Sequence, residues 1–340
     1  MDLISFLISA IKIIFLLGFL IFIHELGHFT VAKLCKVTVN EFSIGFGPTI
    51  WKKQGIETKY ALRLIPLGGF VSMEGEEERS NKQGSFSKAS IPKRIAIVLA
   101  GAMVNIIFAI IVYFILAVNS GAYITNEVNT TIEGYPAKEL GLNEGDKIIQ
   151  INDRKINNMY DLNSALQKNK EQIKIKVQRN NDILEYETKA KEITENGYTG
   201  YYLGVNLKPS EDTLKNRCIN GLIMTKEFLF SIIDNLKQLF TGNVGVDQMM
   251  GPVGISEVVA KTNGFKEFVY MLALISLSLG VTNLLPIPAL DGGKILLLII
   301  EAIRRKPLNE KTEINIQLIG FSLLIALSLY VTYNDILRIF

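Results

Sequence analysis

The chain has 340 residues, 49% of them hydrophobic, and its 36 basic and 33 acidic residues leave a net charge of +3. No basic tract offers a footprint for nucleic acid, and two cysteines, Cys35 and Cys218, make no disulfide framework. A mean hydropathy of +0.27, with the apolar residues gathered in blocks, excludes one large soluble core and points to a multi-pass protein of the lipid bilayer.

The first block, residues 3–34, has the length of a membrane span, and residues 1–34 form the first segment. It begins without a basic leader region or a small-x-small cleavage site, so it is expected to be retained. Inside it stands HELGH, which places His24, Glu25 and His28 where ionisable groups are costly. The chain's two histidines are both here, which favours a dedicated task. Residues 35–94 carry ten Lys/Arg, the mark of a loop kept in the cytoplasm. Within them, residues 42–73 set Gly45, Gly47, Pro48, Pro66, Gly68 and Gly69 around short apolar runs. That pattern predicts a β-hairpin-like loop, either an ordinary cytoplasmic hairpin or one whose edge takes an unwound segment as an added strand.

Residues 95–118 read as the second span. The segment 119–210 reads as a soluble α/β module: AYITNEV, DKIIQIN, IKIKVQR and DILEYETKA alternate as strands, Asp161–Lys168 is a short helix, and residues 179–182 make a hairpin turn. In 211–267, apolar residues recur at helical spacing from Cys218 to Phe240. This predicts an amphipathic helix, lying on the outer membrane face or packed against the preceding module. The block 268–303 is longer than one span and is interrupted by NLLPIPALDGGK, where Pro286, Pro288, Gly292 and Gly293 predict a break. Irregular backbone at that depth implies a wet cavity near residues 283–293. Residues 304–340 hold a second basic loop and a fourth span at 316–333. With both basic loops inside, the module and both termini lie outside.

On a helix, positions i and i+4 face one way, so His24 and His28 can grip one cation, with Glu25 beside them to work on water. Catalytic zinc usually has three protein ligands, and Asp291 in the interrupted block is the best third, ahead of Glu301 and Asp335 near predicted span ends.

HELGH, the loop GFGPTIWKKQGIETKYALRLIPLGGFVSMEGE, AGAMVN and NLLPIPALDGG together resemble the site-2 protease family of intramembrane zinc metalloproteases, in the arrangement of the bacterial regulator-of-sigma-factor type. The resemblance covers nearly the whole chain. It implies four transmembrane helices, a membrane-reentrant β-loop and an extracytoplasmic PDZ-like domain in a bacterial plasma membrane, with the active site toward the cytoplasm. It implies Zn2+ on His24, His28 and Asp291, with Glu25 as catalytic base. Gly101 and Asn105 match the family's G-x-x-x-N, and Asn283, Pro286, Gly292 and Gly293 belong to its third-span motif. Asn283 then binds substrate backbone, or else caps the broken helix. Residues from Glu133 to Val205 resemble a circularly permuted PDZ domain, with Tyr202, Leu203, Gly204 and Val205 as a carboxylate-binding loop or simply a core strand. The family's larger members carry two such modules in tandem, and the external segment here is too short for that. The expected substrates are single-pass membrane proteins such as anti-sigma factors trimmed beforehand by a site-1 protease, and remnant signal peptides. A silent scaffold holding partners through its PDZ-like module is the alternative. A metal transporter is disfavoured, because spans two and four have almost no ionisable residues.

Overall fold

A computed structural model describes residues 3–76, 78–168, 172–195, 198–242, 245 and 249–339. Four helices are long and apolar enough to cross a membrane: α1 (Leu3–Leu34), α2 (Ile91–Val118), α7 (Phe265–Asn283) and α9 (Glu310–Ile339). Between them stand the shorter α3 (Pro136–Glu139), α4 (Met159–Lys168), α6 (Pro252–Ala260) and α8 (Asp291–Arg304), and the 27-residue α5 (Leu214–Phe240). The contacts divide the chain into two compact units, residues 1–113 with 229–340, and residues 114–228.

The first unit carries the membrane helices. After α1 the chain runs into two long strands, β1 (Val39–Gln54) and β2 (Lys59–Met73), which pair as an antiparallel ribbon. The ribbon folds back on itself. Residues 41–44 pair with residues 69–72 on one side and residues 59–62 on the other, so two strands build four rungs of sheet. The bends fall at Gly45 and Gly47, both in the left-handed region, and at Gly68 (φ +136°), where any Cβ would collide with the Phe46 ring. Arg63 fastens the fold across the bend. It donates from Nε to Ser43 Oγ at 2.8 Å, from one terminal nitrogen to the Gly47 carbonyl at 3.1 Å, and pairs through the other with Glu41 at 2.6 Å. Val39, Phe42, Val71 and Met73 bury themselves with Ala32 of α1, Ile97 and Val98 of α2 and Leu298 of α8. The outer edge of residues 69–73 has no strand partner among the described residues.

Helix α6 is pinned at both ends by charges that suit its dipole. The buried Asp335 of α9 accepts the Gly254 N–H at 2.8 Å at the N-terminus, and Lys12 of α1 donates to the Thr262 carbonyl at 2.9 Å just past the C-terminus.

In the second unit, β3 (Ile124–Thr131), β4 (Lys147–Ile151), β6 (Gln172–Arg179), β7 (Asp182–Lys189) and β10 (Val205–Pro209) form a sheet ordered β10-β3-β4-β6-β7. The short β5 (Arg154–Lys155) pairs with β4. A separate hairpin joins β8 (Lys191–Glu195) to β9 (Tyr198–Tyr202). Ile173, Ile175 and Val177 point alternately inward and meet Leu162, Ala165 and Leu166 of α4 in a fully buried core. The β6–β7 turn closes through Asn180 at φ +56°. Asp146, 1% exposed, takes two 2.8 Å hydrogen bonds from Arg179 and one from the Asn143 N–H.

The interruption expected in the third apolar block falls in the non-helical link between Asn283, the end of α7, and Asp291, the start of the 14-residue α8, where Pro286 and Pro288 stand. One expectation needs correction. Gly292 and Gly293 do not break a helix. They lie in the first turn of α8, where a Cβ on either would collide with the backbone of residues 284–288.

The Arg179 guanidinium holds the Asp146 carboxyl below the usual carboxylate range. A depressed carboxylate pKa gives stability that is present above the unfolded value and is lost as pH falls through the folded one. Arg179→Met in the full-length protein is therefore expected to speed amide exchange in β4 and β6 near pH 7. The difference from wild type should shrink below about pH 4, as read by hydrogen-exchange mass spectrometry at matched pH.

Candidate metal centre

Helix α1 sets His24 and His28 one turn apart, and the residue that opens α8 sets Asp291 against them. The two imidazole Nε2 atoms lie 3.1 Å apart, and Asp291 Oδ2 is 3.3 Å from His24 Nε2 and 3.5 Å from His28 Nε2. Among the described residues this is the one group of His, Cys, Asp and Glu disposed to hold a metal ion. The tautomer of His28 is settled by its surroundings. Its Nδ1–H donates to the Ile97 carbonyl at 2.9 Å, which leaves Nε2 as a bare lone pair facing its neighbours.

The donor set fits zinc. A tetrahedral ion with ligand distances of about 2.0–2.1 Å spaces its ligand atoms about 3.3–3.4 Å apart, close to the triangle observed. Two imidazole lone pairs and a carboxylate oxygen at such spacing repel one another unless a cation lies between them. Asp291 Oδ2 is buried and receives no hydrogen bond, so nothing else offsets its lost water.

Small residues make the site possible. A Cβ on Gly101 would stand 2.6 Å from His28 Cε1 and 2.9 Å from His24 Cε1, and one on Gly27 would stand 2.6 Å from the Ala100 carbonyl. Helices α1 and α2 thus cross with no side chain between them, at the level of the imidazoles. On the other side a Cβ on Gly69 would stand 3.3 Å from Glu25 Cγ, so the unpaired strand edge passes directly beside that acid.

These groups open into a cavity of about 1650 Å3. His24, Glu25 and His28 form its floor, and Phe70–Met73, Pro288–Asp291 and residues of α9 form its walls. Its rim is charged. Lys294 pairs with Glu76 at 2.6 Å, Arg94 pairs with Glu301 through both terminal nitrogens, one at 3.1 Å, and Arg79 donates from its backbone N–H to Glu310 at 3.2 Å and from its guanidinium to the Leu308 carbonyl.

Most of the residues read from the sequence meet here, and a few do not. Glu301 and Asp335, the weaker candidates for a third ligand, are engaged elsewhere by Arg94 and by α6. Asn283 closes α7, half-buried, and does not line the cavity. Pro286 lies on the irregular link to α8. Asn105 is fully buried beneath the site. In the second unit, Tyr202, Leu203, Gly204 and Val205 do line a groove, about 120 Å3, opposite Leu162, Asn163 and Leu166 of α4. Sequence reasoning missed Gly27, Lys294 and the Arg94–Glu301 pair. Gly27 stood inside the histidine motif and Lys294 directly after the glycine pair, and both positions were signals.

The chain matches the profile of Peptidase family M50 over residues 12–327. It is 35% identical over 323 residues to a Clostridium acetobutylicum protein provisionally named a zinc metalloprotease, with 94% of each chain covered. It is 31% identical to the regulator of sigma-W protease RasP of Bacillus subtilis, with 98% of this chain and all of the relative covered. The zinc metalloprotease RasP of Geobacillus kaustophilus is 29% identical, with 98% of each chain covered.

The chain belongs to peptidase family M50.

As an M50 peptidase it is a membrane-embedded zinc metalloendopeptidase, of the regulator-of-sigma-factor type expected from its motifs. Because Gly101 lies against both imidazoles, Gly101→Ala is expected to lower zinc affinity at least 10-fold while leaving the helices intact. Zinc content after dialysis, measured beside circular dichroism, checks this.

Proposed function

We propose that His24, His28 and Asp291 hold the zinc and that Glu25 is the general base of an endopeptidase acting on transmembrane segments. The observation carrying this reading is the shared cavity: three converging donors, an acid beside them and, at Gly69, a strand so close that an added Cβ would stand 3.3 Å from that acid's Cγ. Zinc bound there would lower the pKa of a coordinated water toward about 7 and polarise the scissile carbonyl.

The chain's own residues do the rest. A helical substrate hides its peptide bonds, so it must unwind before hydrolysis. The outer edge of residues 69–73 offers backbone partners to an extended segment, which adds as a further strand and lies across Glu25. Glu25 takes a proton from the attacking water as oxygen adds to the carbonyl carbon. It passes that proton to the amide nitrogen as the C–N bond breaks, so one carboxylate serves as base and then as acid.

The substrates in this reading are single-pass membrane proteins, anti-sigma factors already trimmed by a site-1 protease and remnant signal peptides. The Bacillus subtilis relative is named a regulator of sigma-W protease, which supports a link to sigma-factor control. The second unit acts as a PDZ-like filter outside the cell, with Tyr202–Val205 as its peptide-facing loop, and α6 gates lateral access. The active site opens toward the cytoplasm, on the side of the basic loops.

Glu25→Gln is expected to retain zinc and to cleave a model transmembrane substrate about 10²–10⁴-fold more slowly than wild type. Purified proteins in detergent, assayed for metal and for fragments, test this. Equal cleavage by both proteins would remove Glu25 from the chemistry, and none by either with zinc in place would leave the scaffold reading standing.

A further inference from the structure

The two metal-site imidazoles are not equally provided for. His28 has its Nδ1–H satisfied by the Ile97 carbonyl, but His24 Nδ1 is buried without a hydrogen-bond partner among the described residues. An imidazole that ligates through Nε2 carries its proton on Nδ1, and an acceptor there fixes ring orientation and basicity. The fold must therefore either leave that proton orphaned or supply an acceptor.

One buried group lacks the complementary partner. Asn105 of α2 is 0% exposed, and neither its amide oxygen nor its amide nitrogen has a hydrogen bond among the described residues. A polar side chain kept dry and unpaired gives up its water without a replacement bond, so its retention calls for a function.

The packing of α1 on α2 sets the two orphans at neighbouring levels of adjacent helices. The helices run in opposite directions: His28 meets Ile97 at one level, and the Phe19 ring meets Phe108 at 5.3 Å further along. Gly101 lies between these levels, against the Cε1 of both imidazoles, and Asn105 follows it by one turn on the same face. Side chains on a helix lean toward its N-terminus. On antiparallel helices that lean carries His24 and Asn105 toward each other. Ser276 of α7 fixes this turn of α2 from behind by donating to the Asn105 backbone carbonyl at 2.9 Å. That bond leaves the side-chain amide free to rotate.

We propose that Asn105 is the positioning residue for His24: its Oδ1 accepts the His24 Nδ1–H, holding Nε2 as the lone pair turned to the metal site. His28 then leans on a backbone carbonyl and His24 on a side chain, so the two ligand rings are oriented independently. This assignment rests on His24 being a zinc ligand.

The test is zinc affinity of the full-length protein in detergent, by competition with a chromophoric chelator, alongside melting of the metal-free form. Asn105→Leu, close in size and without an acceptor, should weaken zinc binding 10–100-fold without lowering the metal-free melting temperature. Asn105→Asp, which keeps the acceptor, should bind zinc at least as tightly as wild type. Should leucine not be accommodated, Asn105→Ala carries the same expectation for affinity. Equal affinity in wild type and the apolar variants overturns the assignment. So does equal weakening in the apolar and aspartate variants, which would mean the amide nitrogen or packing matters. A wild-type protein that takes up no zinc would instead sink the ligand assignment itself.

Discussion

The constraint behind this fold is the cost of drying two imidazoles and a carboxylate inside an apolar helix bundle. Singly, each would be driven from the interior or forced to its neutral form. Brought to 3.1–3.5 Å of one another with lone pairs converging, they become tolerable once a divalent cation sits among them. Other features follow from the need to bring those donors together. One turn of helix supplies the spacing of His24 and His28, and the broken link after α7 delivers Asp291 at the start of a new helix rather than inside an old one.

Backbone proximity is the second condition. Gly27 and Gly101 let α1 and α2 touch at the imidazoles, Gly292 and Gly293 let α8 begin against the carbonyls of the link before it, and Gly69 lets the ribbon edge reach Glu25. Each would be unremarked in a solvent-facing helix or strand. Here each stands where a methyl group would press on a neighbouring backbone or, at Gly101 and Gly69, on the side chains of His24, His28 and Glu25. The folded ribbon adds a surface of unspent backbone hydrogen bonds next to the acid, and catalysis on an unwound helix needs such a surface.

Much of this was legible in the residues. The HELGH spacing, the confinement of both histidines to it and one acid in an interrupted apolar block were enough to nominate His24, Glu25, His28 and Asp291, and the structure gathers all four in one cavity. The alternating strands and the Asp161–Lys168 helix appeared within a few residues of their expected bounds. What escaped was set by tertiary approach. Gly292 and Gly293 read as breakers because local propensity is blind to the carbonyls that press on them. The doubling of the β1–β2 ribbon depends on Arg63 reaching across a bend, and no periodicity encodes that. Asp335 read as a weaker candidate for the third ligand near a span end, whereas it accepts the Gly254 N–H at the start of α6.

X-ray absorption at the zinc edge of the loaded, full-length protein addresses the central claim most directly. The account predicts one zinc per chain with two imidazole nitrogens and carboxylate oxygen at about 2.0–2.2 Å and no sulfur, and the loss of one imidazole shell in His24→Ala. A sulfur scatterer, a shell without imidazole, or a spectrum unchanged by that substitution would contradict it.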